Sequence, residues 1–233
     1  MSEFHDPKPL TPLQWVAYSV SIPLVMAVLV FWPAGTLRWA LGWLFLAVFA
    51  VAAVTATLVL LRVNPVIFAA RSRVQEGTKA WDRALLAFIM PLLMAILPVA
   101  GFDAGRFHWL PAPPWAVVLG HVLLVAGIAL FGWAQAVNRF FEPGVRIQSE
   151  RGHRVIDTGP YAYVRHPGYV GAIAMFFGMA LSLGSLVALA PAAATTALLV
   201  LRTAWEDQTL RSELPGYGEF AVKTRYRLLP GVW

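Results

Sequence analysis

The chain has 233 residues, of which 59% are hydrophobic and 13% charged, with a formal net charge of +6 and no cysteine. A mean hydropathy of +0.66 exceeds what the surface of a water-soluble domain carries, and the lack of cysteine excludes disulfide frameworks, thiolate nucleophiles and iron–sulfur ligation. The basic excess forms no run interleaved with aromatics, which argues against nucleic acid as a partner and leaves topology-setting loop charge as its meaning.

In chain order, the first fourteen residues, MSEFHDPKPLTPLQ, are mixed in charge and lack a basic segment, a short apolar run and a small-residue cleavage site. The first apolar segment is therefore expected to be a retained membrane helix and not a cleaved signal. A bilayer core about 30 Å thick needs roughly 20 apolar residues. Four uncharged segments meet or approach that length: Leu13 to Trp32, Trp39 to Leu61, Ala84 to Gly101 and Trp115 to Val137. Pro23, Pro91 and Pro98 interrupt two of them without an ionisable partner beside them. His121, alone inside a span, suits a hydrogen bond to a neighbouring helix better than a metal, and no metal site is expected.

A fifth apolar run, Gly168 to Leu201, has 34 residues. As one straight helix it would reach about 50 Å and overshoot the bilayer, so it is expected to turn back as a tight hairpin. Gly184-Ser185 is the natural turn and Pro191 a rival breakpoint. Loop charge supports this count: with six spans, sixteen of the eighteen Lys and Arg fall on one side and two, Arg38 and Arg106, on the other. With five spans the division would be eleven against seven. The expected fold class is thus all-α, a polytopic membrane bundle of about six spans with both termini cytoplasmic.

Two polar clusters can carry chemistry, and both fall on the cytoplasmic side. The loop before the hairpin ends in GPYAYVRHPGYVG, Gly159 to Gly171. Pro167 suits the first turn of the following helix, which puts Arg165 and His166 at a helix N-terminus, where anions are favoured. Alternatively, Tyr161, Tyr163 and Tyr169 form an interfacial aromatic belt and Arg165 sets topology. The second cluster is Arg202, Glu206 and Asp207; Arg202 and Glu206 share a helix face and either form an i,i+4 pair or serve a site. Dinucleotide, P-loop and zinc-protease motifs are absent from the sequence.

At these clusters the sequence resembles the isoprenylcysteine carboxyl methyltransferase and phospholipid methyltransferase superfamily of integral membrane enzymes. The resemblance covers Asn138 to Trp233. GPYAYVRHPGYVG resembles the G-x-Y-x-x-x-R-H-P-x-Y-x-G signature, VRIQSERGHRVIDTGPY resembles the cofactor-binding connector, and RTAWEDQTL resembles the Arg, acidic pair, Leu pattern, with Glu-Asp as the pair here. The resemblance implies S-adenosylmethionine as cofactor, held by Gln148, His153, Arg154, Val155, Ile156, Tyr161, His166, Pro167, Gly168, Tyr169 and Glu206. It implies that Arg202 orients the acceptor, and Arg165 is the second candidate catalytic residue.

On this reading, residues 1–137 form a four-span membrane region and 138–233 a methyltransferase-like region of connector, hairpin and tail. The expected function is methyl transfer to a lipophilic small molecule or lipid, in a cell inner membrane or endomembrane. An NADPH-dependent sterol or steroid-type reductase and a non-enzymatic transporter or assembly protein are the alternatives; the acceptor and oligomeric state stay open.

Overall fold

The computed structural model describes residues 10–233, so Lys8 and His5 lie outside the described residues. Among these residues the regular structure is helical: α1 (Pro12–Ala34), α2 (Ala40–Val63), α3 (Val66–Arg71), α4 (Ala80–Ala100), α5 (Pro114–Val137), α6 (Pro167–Ser182), α7 (Leu189–Glu213) and α8 (Tyr217–Lys223). Helices α1, α2 and α5, and α4 together with its π-helical extension Gly101–Phe107, are long and apolar enough to cross a membrane. Their outward faces expose Leu24, Val28, Val51, Val54, Phe88 and Val118. In water such a surface would aggregate. In a bilayer it needs no covering, because the helices satisfy their own backbone groups.

The 34-residue apolar run of the sequence is a hairpin of α6 and α7. Gly184 adopts φ +78°, a left-handed conformation that glycine takes without strain, and Pro191 sits in the first turn of α7, where its missing amide costs nothing. The hairpin turn docks on the loop between α4 and α5. Ala112 N–H donates to Gly184 O at 2.8 Å, Leu186 N–H to Leu110 O at 3.0 Å, and the Ser185 hydroxyl to buried Asp103 at 2.5 Å. Because the turn reaches the level where α4 ends and α5 begins, α6 and α7 traverse the thickness of the bundle, which gives six spans.

Tryptophan marks the two interfaces. Trp15, Trp81, Trp133 and Trp205 lie towards the end that carries the polar loops, and Trp32, Trp39, Trp43, Trp109 and Trp115 lie at the opposite end. Amphipathic indoles favour the headgroup level, so their separation outlines the slab that the bundle occupies.

Glycine sets the closest helix pair. A Cβ on Gly178 of α6 would stand 2.5 Å from Leu124 N of α5, and one on Gly171 would stand 2.7 Å from Phe131 N. On α5, Gly120 and Gly127 leave the matching room for Ser182 and for Gly171 with Met175. Small residues let the two backbones approach where no hydrophobic effect draws helices together. Around this pair the buried side chains Phe45, Ile96, Leu124, Phe176 and Leu183 form the membrane core. A second core, Tyr161, Leu214, Tyr217 and Phe220 with Val155 and Ile156 against it, fastens α8 and the connector to the polar end.

Candidate functional site

The polar end is built around two buried carboxylates, each gathering segments far apart in sequence. Asp82, in the first turn of α4, accepts from Arg202 Nε at 2.6 Å and Nη2 at 3.1 Å, and from Val145 N–H at 2.7 Å. Arg202 also donates to Pro143 O at 2.6 Å. Asp82 therefore ties α4, the connector and α7 together. The i,i+4 pairing of Arg202 with Glu206 that the spacing allows is replaced by this bidentate bridge to a residue 120 positions away.

Asp207 is the second hub. It accepts from Arg165 Nε at 2.6 Å, Tyr217 Oη at 3.0 Å, Arg227 Nε at 3.0 Å and Arg211 Nε at 3.1 Å. Arg165 adds bonds from Nη1 to Thr224 O and Arg225 O at 2.7 and 2.6 Å. Its backbone and that of His166 pair with Tyr226 O and Arg227 O. The Arg165 guanidinium is thus committed to closing the C-terminal tail over the hairpin base. Buried charges persist only when paired and hydrogen-bonded in this manner. Burial, and then the Asp207 charge, push the Tyr217 hydroxyl above its usual range and keep it a donor.

Neighbouring residues on α7 point apart, so Glu206 turns away from the Asp207 hub. Its Oε2 accepts a short hydrogen bond from the Tyr169 hydroxyl, and among the described residues no donor meets Oε1. The His166 ring lies parallel to Tyr169 with centroids 5.6 Å apart, and the Arg202 guanidinium stands 5.4 Å from the centre of the Tyr169 ring. Pro167 opens α6 in its first turn, as the sequence predicts.

The connector folds into a tight turn that closes the other side. Gln148 is buried; its amide donates to Phe140 O at 2.7 Å and accepts from Arg151 Nη1 at 2.6 Å. Glu142 binds Arg146 through both oxygens, at 2.7 and 2.9 Å. The His153 ring packs on Phe140 at 4.7 Å, and its Nδ1 accepts from Gln148 N–H. Burial first, then the charges of Arg146 and Arg151, depress the His153 pKa to about 4, so the ring is neutral. Tyr161 is buried and accepts from Asn138 Nδ2 at 3.1 Å; burial pushes its hydroxyl above the usual range.

These elements enclose a cavity of ≈ 310 Å³, within the range of small-molecule sites. Of the thirteen site residues expected from the sequence, twelve line it: Gln148, His153, Arg154, Val155, Ile156, Tyr161, Arg165, His166, Gly168, Tyr169, Arg202 and Glu206. The exception is Pro167, whose role is to start α6. The cavity has two characters. Connector, α7 and α8 give it a polar end; Leu86, Ile89, Met90, Leu93, Met175 and Phe176 give it an apolar end within the membrane core. Met90, which lines this end on α4, is 45% exposed.

The sequence left three polar lining or supporting residues without a role: Asp82, Glu142 and Arg71. Asp82 carries one signal in the sequence, an acidic residue at the head of a span on the side rich in arginine. Arg71 closes α3, partly buried, with its guanidinium 5.2 and 5.0 Å from the Phe131 and Phe141 ring centres.

Residues 115–214 match the family model described as phospholipid methyltransferase, consistent with the superfamily that the motifs resemble. The match begins at the start of α5 and ends beside the Asp207 hub. No curated protein matches the chain.

Proposed function

We propose that this chain, with four helices long and apolar enough to cross a membrane and with residues 115–214 matching the phospholipid methyltransferase family model, transfers a methyl group from S-adenosylmethionine to a lipophilic acceptor in the cavity between connector, hairpin and α4. The observation that carries this reading is the two-ended cavity: one end polar and formed by loops, the other apolar and formed by side chains of α4 and α6.

The residues present fit the cofactor. An ammonium and a sulfonium require negative charge and aromatic faces, and the polar end offers the Glu206 carboxylate with one oxygen unengaged, beside the stacked rings of Tyr169 and His166. Gln148, His153 to Ile156, Tyr161, His166, Gly168 and Tyr169 would hold it. When bound, S-adenosylmethionine supplies an electrophilic methyl group open to in-line displacement.

What remains for the protein is positioning and exclusion of water. The connector closes one end of the cavity, and α8 with Tyr217 and Phe220 closes the base. His153 is neutral at neutral pH and adds no positive charge to the polar end. Arg202, fixed by Asp82, holds the acceptor's polar end, and Arg165 acts through the tail as a positioning residue. No covalent enzyme intermediate is required. Methyl donor and polar loops share the arginine-rich face, which we assign to the cytoplasm together with both termini. Residues 138–233 supply the polar end, while the preceding spans wall the acceptor pocket.

Calorimetry on detergent-purified protein tests this reading. S-adenosylhomocysteine is expected to bind the wild type and to lose affinity by at least tenfold in Glu206→Ala. Absence of binding to the wild type, or protection by NADPH in place of S-adenosylhomocysteine, would overturn it.

A further inference from the structure

Arg71 lines the cavity outside the Asp82 and Asp207 hubs; of the other lining arginines outside them, Arg146 is paired with Glu142 and Arg154 is exposed at the surface. It ends a six-residue helix whose Ile67, Ala69 and Ala70 are buried, and that helix is fixed to the bundle by the Asn64 amide, which donates to Gln135 O of α5 at 2.7 Å. The guanidinium lies over Phe131 and Phe141, both of which also line the cavity. Among the described residues no oxygen accepts a hydrogen bond from it and no carboxylate pairs with it. Ring faces repay only part of the cost of removing such a charge from water. Burial above all lowers its pKa, to about 10, and the nearby charge of Arg202 acts in the same direction.

Its position is as informative as its lack of a partner. Phe131 lies two turns inside α5, within the span and not in the loops. Arg71 therefore stands where the apolar end of the cavity meets the polar end. Glu206 is the complementary case, a carboxylate with one oxygen unengaged in the polar end. Two opposite charges facing one cavity and not bonded to each other match two ligands that meet there, one cationic and one anionic.

We propose that Arg71 binds an anionic group, a phosphate or carboxylate, on the lipophilic methyl acceptor. The claim rests on the methyltransferase reading above and adds to it a specificity-determining residue that lies outside the matched segment 115–214. A planar fork of donors on an aromatic platform suits an oxyanion held in two places, which lysine cannot reproduce in full.

The test uses the full chain in maltoside detergent and two single-chain probes, a lysophosphatidic acid and the monoacylglycerol with the same acyl chain, titrated against tryptophan fluorescence. The wild type is expected to prefer the phosphate probe by at least tenfold. Arg71→Gln is expected to erase that preference while keeping S-adenosylhomocysteine affinity within about twofold, and Arg71→Lys to keep part of it. A wild type without preference, or an Arg71→Gln variant that retains it, overturns the proposal. So does an Arg71→Gln variant that loses S-adenosylhomocysteine but keeps the preference, because Arg71 would then serve the cofactor's carboxylate. Equal loss of both ligands in Arg71→Gln and Arg71→Lys likewise overturns it in favour of a structural role. A wild type that binds the phosphate probe but not S-adenosylhomocysteine would instead count against the methyl-transfer reading.

Discussion

Asp207 and Glu206 are adjacent acids with different work. Asp207 accepts from three arginines and Tyr217 and is fully buried, whereas Glu206 faces the cavity and is bonded to Tyr169. Removing one partner of a buried, hydrogen-bonded ion pair costs about 3–5 kcal/mol. Asp207→Asn is therefore expected to lower the unfolding midpoint strongly in a thermal melt, with Glu206→Gln leaving it nearly unchanged while ligand affinity falls. The aspartate at the second position of the pair suits its surroundings, since Asp207 is packed among donors and does not have to reach into the cavity.

His153 supplies a pH test on the same scale. Its native pKa, depressed from 6.5 to about 4, means that below about pH 6.5 the unfolded chain binds a proton the native protein refuses. Stability is thus complete above pH 6.5 and falls as pH drops towards 4. Melts across that range should show a steeper loss in the wild type than in His153→Gln, and parallel curves would refute the assignment. The neutral ring was not legible in the sequence, because the burial and the two arginines that depress it come together only when the connector folds.

Between elements, the α5–α6 contact fixes where the hairpin base, and with it His166 and Tyr169, meets the connector. A methyl group on Gly178 would press against the Leu124 backbone at 2.5 Å, and backbone cannot step aside as a side chain can. Overpacking of this kind costs about 1–3 kcal/mol. Gly178→Ala is expected to destabilise the protein by that order, whereas Gly218→Ala in α8, with nothing within 4 Å, should be neutral or slightly stabilising. Matching melts for the two variants would contradict the packing account.

The same elements show why the hairpin was readable in advance and the hubs were not. Length alone forced Gly168 to Leu201 to fold back, Gly184-Ser185 was the natural turn with Pro191 its rival, and the basic residues agreed with the resulting topology. The partner of Arg202 lies on another helix 120 residues earlier. Periodicity offers Glu206 as a partner at short range; the folded structure prefers a carboxylate already buried at the head of α4. Arg71 was invisible for a related reason, because a lone arginine in a basic loop reads as topology until its lack of a partner can be seen.

For the whole molecule, the account joins a membrane slab outlined by tryptophan to a cavity that straddles the boundary of that slab. The motif-bearing segments supply the polar end, while α4, with Met175 and Phe176 of α6, supplies the apolar end and the short helix α3 supplies Arg71. The most direct measurement is transfer of a trideuteromethyl label from S-adenosylmethionine by the purified protein in vesicles made from its native lipid extract, followed by mass spectrometry of the organic phase. The account predicts a labelled lipophilic product that is lost in Glu206→Ala. An unlabelled organic phase with the wild type, or equal labelling by the wild type and Glu206→Ala, would contradict it.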